Sequence, residues 1–115
     1  MIENRPWGNF IVLSDSTNYK VKKITVLPGK RLSLQRHQKR REHWFIVQGV
    51  ACVTLDEKQI PLSAGEAINI PLRAIHRVEN TDKKELLVFI EIQTGESFAE
   101  TDIERIEDDF GRVNQ

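Results

Sequence analysis

Four residues of this chain combine side-chain chemistry and spacing in a way that suits a metal ion. Gln35 and His37 are two apart in a stretch that reads as a strand. Their side chains therefore leave the same face, roughly 6–7 Å apart at about 3.3 Å per residue. Glu42 follows after the polar stretch 38–41, which leaves room to turn onto a neighbouring strand. His76 opens a distant strand just past a turn that contains Pro71. Together the four offer two imidazole nitrogens, one carboxylate oxygen and one amide oxygen. That borderline-hard set suits one divalent ion, whether Zn, Mn, Co, Ni or Fe(II). Four protein ligands leave one or two positions open on a five- or six-coordinate ion, as a catalytic or substrate-binding metal requires. Taken singly, Gln35 or His37 reads more simply as a solvated polar residue on an exposed strand.

The elements that must position these residues are strands. Apolar residues recur in short alternating runs bounded by Gly, Pro, Asn or Asp. The runs are 9–13, 19–27, 31–36, 43–48, 51–55, 58–62, 67–70, 76–79 and 86–93. Turn residues separate them at Pro28-Gly29, Gly49, Asp56-Glu57, Ala64-Gly65, 71–74 and 80–82. Many short strands without long helical stretches between them predict an all-β sandwich or barrel and argue against a parallel α/β sheet. One short helix is predicted at the end, capped by Thr101 and Asp102, running to about Asp109 and stopped by Gly111. Residues 1–115 read as a single domain, with no internal repeat, low-complexity tract or linker.

Composition narrows the function classes. Lys+Arg 17 balance Asp+Glu 17, with 39% apolar residues, which is ordinary for a globular chain. Lys39, Arg40 and Arg41 form a basic run, but acidic residues elsewhere cancel it, so nucleic acid is not expected as a partner. The lone Cys52 has no internal partner for a disulfide and sits in an apolar alternating stretch, where a buried inert thiol is usual. No apolar stretch approaches membrane-spanning length, and the first residues lack a leader pattern. No membrane association is expected, and the protein is expected to be cytoplasmic.

The spacings resemble those of the cupins. Their first motif is Gly, five residues, His, one residue, His, three or four residues, Glu, six residues, Gly. Gly29, Gln35, His37, Glu42 and Gly49 fall on it, with Gln35 where the first His usually stands. Gly65, Pro71, His76 and Asn80 fall on the second motif, with Arg73 where that motif usually has Gly. The resemblance implies a double-stranded β-helix, or jelly-roll, barrel. A narrower resemblance covers most of the chain. Residues 5–8 (RPWG), 19–35 (YKVKKITVLPGKRLSLQ), 41–44 (REHW), 70–80 (IPLRAIHRVEN) and 104–112 (ERIEDDFGR) look like the C-terminal domain of type II phosphomannose isomerases. That domain usually follows a mannose-1-phosphate guanylyltransferase domain. Here only about twenty-eight residues precede Pro28-Gly29, and they hold no Gly-rich phosphate loop. This chain is therefore not expected to make a sugar nucleotide itself.

The resemblance implies a metal set of Gln35, His37, Glu42 and His76 and interconversion of mannose 6-phosphate and fructose 6-phosphate. It departs from the family at Gln38 and Lys39, where additional His residues are common. Aldose–ketose isomerisation needs a proton removed from C2 and one returned at C1, charge stabilisation on two oxygens, and cations for the phosphate. Arg31, Arg40 and Arg112 are the candidate catalytic and phosphate-gripping cations, since Arg offers planar bidentate donors. Lys20, Lys22 and Arg105 are further candidates, and each of these cations also reads as a solvated surface group. Asp108 could orient an Arg. His43 points away from Glu42's face and suits packing or an interface, while Trp44 shares that face and either walls the cavity or fills the core. Two other functions fit a cupin pocket: a non-catalytic sugar or sugar-phosphate binding module, and a metal-dependent dioxygenase. A homodimer is expected, paired through an N-terminal strand or the outer sheet, with apolar contact from Trp7, Phe10 and Phe45.

Overall fold

The computed structural model describes residues 1–112. Eleven strands form two antiparallel sheets. They are β1 (Ile2–Arg5), β2 (Gly8–Asp15), β3 (Tyr19–Val26), β4 (Leu34–Arg36), β5 (Arg40–Gln48), β6 (Val50–Leu55), β7 (Lys58–Ser63), β8 (Ala67–Ile70), β9 (His76–Glu79), β10 (Leu87–Gly95) and β11 (Glu104–Glu107). One sheet runs β1-β2-β3-β10-β5-β8, and the other runs β11-β4-β9-β6-β7. The predicted all-β barrel is thus present, and the nine predicted runs all lie on strands or their immediate flanks.

The short C-terminal helix is not. Residues 104–107 instead form β11, an edge strand paired with β4. The side chain that was to cap the helix has other work, because the Asp102 carboxylate accepts the backbone N–H groups of Gln38 (3.1 Å) and Lys39 (2.9 Å). An Arg36–Glu104 ion pair at 2.8 Å ties the new strand to β4.

Strand parity divides the barrel interior lengthwise. On β5 the inward residues run Arg40, Glu42, Trp44, Ile46, all buried, while Arg41, Phe45 and Val47 face out. On β10 they run Leu87, Phe89, Glu91, Gln93, and on β3 Lys22, Ile24, Val26. Register aligns the polar ends, with Gln93 opposite Glu42, and Glu91 opposite both Trp44 and Lys22. One half of the barrel is therefore an apolar core of Val26, Ile46, Val53, Val78, Leu87 and Phe89, each essentially without exposure. The other half is a polar pocket. Trp7 and Phe10 belong to the core cluster, so of the three aromatics expected at a dimer contact only Phe45 is exposed. No helix among the described residues is long and apolar enough to cross a membrane.

Candidate metal centre and its pocket

His37, Glu42 and His76 converge at the polar end of the barrel, all buried, with one donor atom from each lying within 4.8 Å of the others. They arrive from different places. Glu42 is on β5 of the larger sheet, His76 opens β9 of the smaller one, and His37 lies in the link between β4 and β5.

Both imidazoles are oriented through Nδ1. That atom of His37 is 2.7 Å from the Asp102 carbonyl, and that of His76 is 2.9 Å from the Ala74 carbonyl. A carbonyl only accepts, so each Nδ1 carries a proton and donates it, which in the neutral ring leaves the Nε2 lone pair free. Those lone pairs face the carboxylate, with His37 Nε2 at 3.4 Å from Glu42 Oε2 and His76 Nε2 at 3.8 Å from Oε1. Anchoring the distal nitrogen in this way is how proteins fix metal-binding imidazoles. Burial lowers the His37 pKa, with Arg40 adding to the effect against the pull of Glu42, so this ring is kept neutral as a ligand must be.

Glu42 is the charged partner. Burial alone would raise its carboxyl, but His76, Arg40, His37 and a hydrogen bond from Glu91 outweigh that and hold it at about 2. Arg40 Nε donates to its Oε2 at 2.9 Å, and Trp44 Nε1 donates to its Oε1 at 3.0 Å. Two imidazole Nε2 atoms and one ionised carboxylate, in contact reach of one another, fit a divalent ion. Gln35 borders the same pocket, directly across from His76 in the β4–β9 register, and its amide nitrogen makes only a long 3.4 Å contact to the Ser33 carbonyl.

The turn before His76 explains the Arg that stands in a glycine position. Ala74 N–H donates to the Pro71 carbonyl at 3.3 Å, and Arg73 has φ 64°. A type II turn demands positive φ at this third position, where glycine is favoured. Arg73 accepts the left-handed conformation, and its N–H donates to the His37 carbonyl at 2.8 Å, so the turn that launches His76 also holds His37.

The candidate cations separate into groups. Arg31 does not reach the pocket; it forms a bidentate pair with Asp109, at 2.8 and 2.9 Å. Its register is the reason, since Arg31 bridges only to Glu79 and lies before β4 begins. Arg40 sits at the triad itself, with Nη2 3.2 Å from His37 Nε2. Arg112 lines the pocket, held by Asp108 through Nε at 2.7 Å and through its backbone N–H at 2.9 Å. Lys22 and Arg105 line it too, Lys22 reaching Glu100 at 3.1 Å, while Lys20 lies one inward step further along β3. His43 is on the outer face, 2.6 Å from Asn69 Oδ1, and Trp44 walls the pocket with its ring edge-on to His76.

Glu91 is a pocket residue that motif spacing does not reveal. Burial first, and Glu42 second, push its carboxyl up to about 8 against the pull of Lys22 and Arg40, and Gln93 Nε2 donates to it at 2.7 Å. A signal exists in the run Ile90-Glu91-Ile92-Gln93, where the polar residues take the inward parity of Leu87 and Phe89. Polar residues on a core-facing parity mark a lined cavity.

Residues 2–108 match the family model described as Mannose-6-phosphate isomerase C-terminal. The chain belongs to this family. Over 109 residues it is 45% identical to the alginate biosynthesis protein AlgA of Pseudomonas aeruginosa, a match covering 95% of this chain and 22% of that protein. It is 44% identical over 109 residues to the mannose-1-phosphate guanylyltransferase ManC of Salmonella typhimurium, again over 95% of this chain and 22% of the relative. This mannose-6-phosphate isomerase C-terminal chain thus spans about a fifth of the length of the curated relatives it matches. Its fold is that of the cupins. The cupin domain of Schizosaccharomyces pombe Cnp3 superposes with a TM-score of 0.71 at 14% identity, over 76% of this chain and 64% of that one.

Proposed function

We propose that this chain is a metal-dependent isomerase interconverting mannose 6-phosphate and fructose 6-phosphate. The observation that carries the reading is the pair of imidazoles, each with Nδ1 bonded to a backbone carbonyl and Nε2 turned to an ionised, fully buried Glu42. Arg40 already pairs one oxygen of that carboxylate, so it is the two imidazole Nε2 atoms facing the same group, at 3.4 and 3.8 Å, that favour a bound cation. Membership of the mannose-6-phosphate isomerase C-terminal family supports the substrate class.

His37, Glu42, His76 and Gln35 would hold the ion. When bound, it would supply a Lewis acid that polarises a substrate oxygen. The protein's own residues do the rest. Arg40 keeps Glu42 ionised through its Nε bond, and Trp44 fixes the other carboxylate oxygen while closing the pocket wall against water. The pocket's remaining cations offer the charge that a phosphorylated sugar needs.

The test is elemental analysis of the purified protein beside a coupled assay on mannose 6-phosphate, without oxygen, before and after chelation and metal return. Turnover that disappears with the metal and returns with it is expected. Sugar-phosphate binding without turnover in metal-loaded protein would reduce the chain to a binding module, and oxygen uptake with loss of an organic substrate would make it a dioxygenase.

A further inference from the structure

We propose that Arg105, with Arg5 and Arg112 beside it, forms the anion-holding end of the pocket and takes the substrate's phosphate. The assignment rests on the sugar-phosphate reading above for its ligand, and on the placement of charge for its position.

Six cationic side chains line the pocket: Arg5, Lys22, Arg40, Arg77, Arg105 and Arg112. Four of them already have carboxylate partners. Arg40 is on Glu42 at 2.9 Å, Lys22 on Glu100 at 3.1 Å, Arg112 on Asp108 at 2.7 Å and Arg77 on Glu107 at 3.5 Å. Arg5 makes a looser pair with Glu3 at 3.7 Å and stacks its guanidinium over Phe10 at 4.9 Å, which leaves donors to spare. Arg105 has none of these anchors, and its Nε is buried with no hydrogen-bond partner among the described residues; Arg77 Nη2 is also unpartnered, but that guanidinium is held by the Leu32 carbonyl at 3.0 Å and by Glu107. A buried donor without an acceptor is unfavourable until an acceptor arrives. Burial, and then the neighbouring Arg112, lower the Arg105 pKa, with Arg5 acting in the same sense and Asp108 and Glu100 opposing. Three guanidinium groups thus lie close enough to disfavour one another's charge, an arrangement that an anion relieves.

Position fits the same ligand. Arg105 is directly opposite Gln35 on β4, and Gln35 is directly opposite His76 on β9. Directly opposed residues share a face, and neighbouring strands lie about 4.8 Å apart, so the Arg105 and His76 backbones are roughly 10 Å apart across the sheet. A long side chain reaching inward from one end of that row leaves room for an open-chain sugar between the phosphate and the triad. The guanidinium fork then meets phosphate oxygens in the bidentate geometry Arg favours.

The experiment is calorimetric titration of metal-loaded wild-type and Arg105→Gln protein with mannose 6-phosphate, with inorganic phosphate and with mannose, alongside metal content and circular dichroism. Affinity for both phosphorylated probes is expected to fall at least about tenfold in the variant, while metal content stays unchanged. Arg105→Lys should recover part of the loss, since charge without the fork remains. Wild-type affinity for mannose 6-phosphate in folded, metal-loaded Arg105→Gln overturns the subsite and leaves the isomerase reading intact. Arg105-dependent binding of inorganic phosphate by a protein that does not turn over mannose 6-phosphate supports the subsite and overturns the isomerase reading. If Arg105→Gln fails to fold, Arg5→Gln decides: a loss of phosphate affinity with metal retained supports the subsite, and unchanged affinity overturns it.

Discussion

A buried carboxylate at about 2 and another pushed to about 8, neighbours on the paired strands β5 and β10, give the site opposite responses to pH. In metal-free protein Glu91 binds its proton more tightly folded than unfolded, where a Glu titrates at roughly 4.3. Its contribution to stability is therefore complete below the unfolded value and is lost as pH rises through about 8. His37 acts the other way, since its lowered pKa gives a contribution that is complete above the ordinary 6.5 and is lost as pH falls through the folded value. Glu42 titrates far below both. From pH 6.5 to 8 the slope belongs to Glu91, so the urea midpoint of metal-free protein should fall as pH rises, and Glu91→Gln should flatten the profile. A midpoint that climbs across that window in the wild type contradicts the assignment. Gln35, His37, Glu42 and His76 line one pocket, as the resemblance to the two cupin motifs implied; strand parity alone does not carry this, since His37 lies past the end of β4. Glu91 was not legible that way, since it matters only through a register that sets it beside Lys22 and Trp44. Asp102 was misread for a related reason: its carboxylate accepts amides distant in sequence and its backbone carbonyl orients His37, and neither contact has a local signature.

At the level of the elements, nine strands were readable, the sheet-edge strands β7 and β8 among them, and β1 and β11 were not. β1 and β11 escape prediction because each is a four-residue edge strand with mostly exposed residues and weak alternation. In β11 the decisive contacts reach far along the chain, from Glu104 to Arg36 and from the Asp102 carboxylate to the amides of Gln38 and Lys39, so local helix-capping chemistry gave the wrong answer. Gly95 shows how an element end fixes the site. It has φ 139°, and a Cβ there would lie 2.3 Å from the Lys39 carbonyl oxygen and 2.8 Å from Arg40 Cα. Both atoms are backbone, so β5 must move to admit a side chain. Gly95 is opposite Arg40 in the β10–β5 register, and Arg40 is the hydrogen-bond partner of Glu42. Gly95→Ala should therefore destabilise the fold by more than about 1 kcal/mol and also weaken metal retention, read by denaturant unfolding and elemental analysis. Unchanged metal content in a destabilised variant would separate the strand's end from the site.

For the molecule as a whole, we propose a dimer paired through the outer face of the larger sheet or its N-terminal edge strand β1, without Trp7 and Phe10, which are committed to the interior. Phe45, Val47 and Ile92 are exposed on β5 and β10. Light scattering should give about twice the 13.3 kDa chain mass, and Phe45→Glu should return the monomer. The proposed ion has a larger structural consequence. Its ligands join segments that no single hairpin links: Glu42 from the larger sheet, Gln35 and His76 from the smaller, and His37 from the connection between them. Without the ion, the polar half of the barrel is held by a few bonds around a buried charge, while the apolar half keeps its core. Binding to the folded state alone stabilises by RT ln(1 + [L]/Kd), about 2.7 kcal/mol at a hundredfold excess over Kd. For a domain of this size that corresponds to a rise in melting temperature of order 10 °C. Chelation should remove that increment and re-addition of the ion should restore it. His76→Ala should melt at one temperature with or without metal, because an imidazole ligand donates to the ion directly. Arg112→Gln should keep the full metal-dependent increment, because a guanidinium cannot be a ligand. If His76→Ala still gains stability from the ion, the metal is bound elsewhere; if Arg112→Gln loses the increment in a folded protein, the division between ligand and phosphate-binding residues fails.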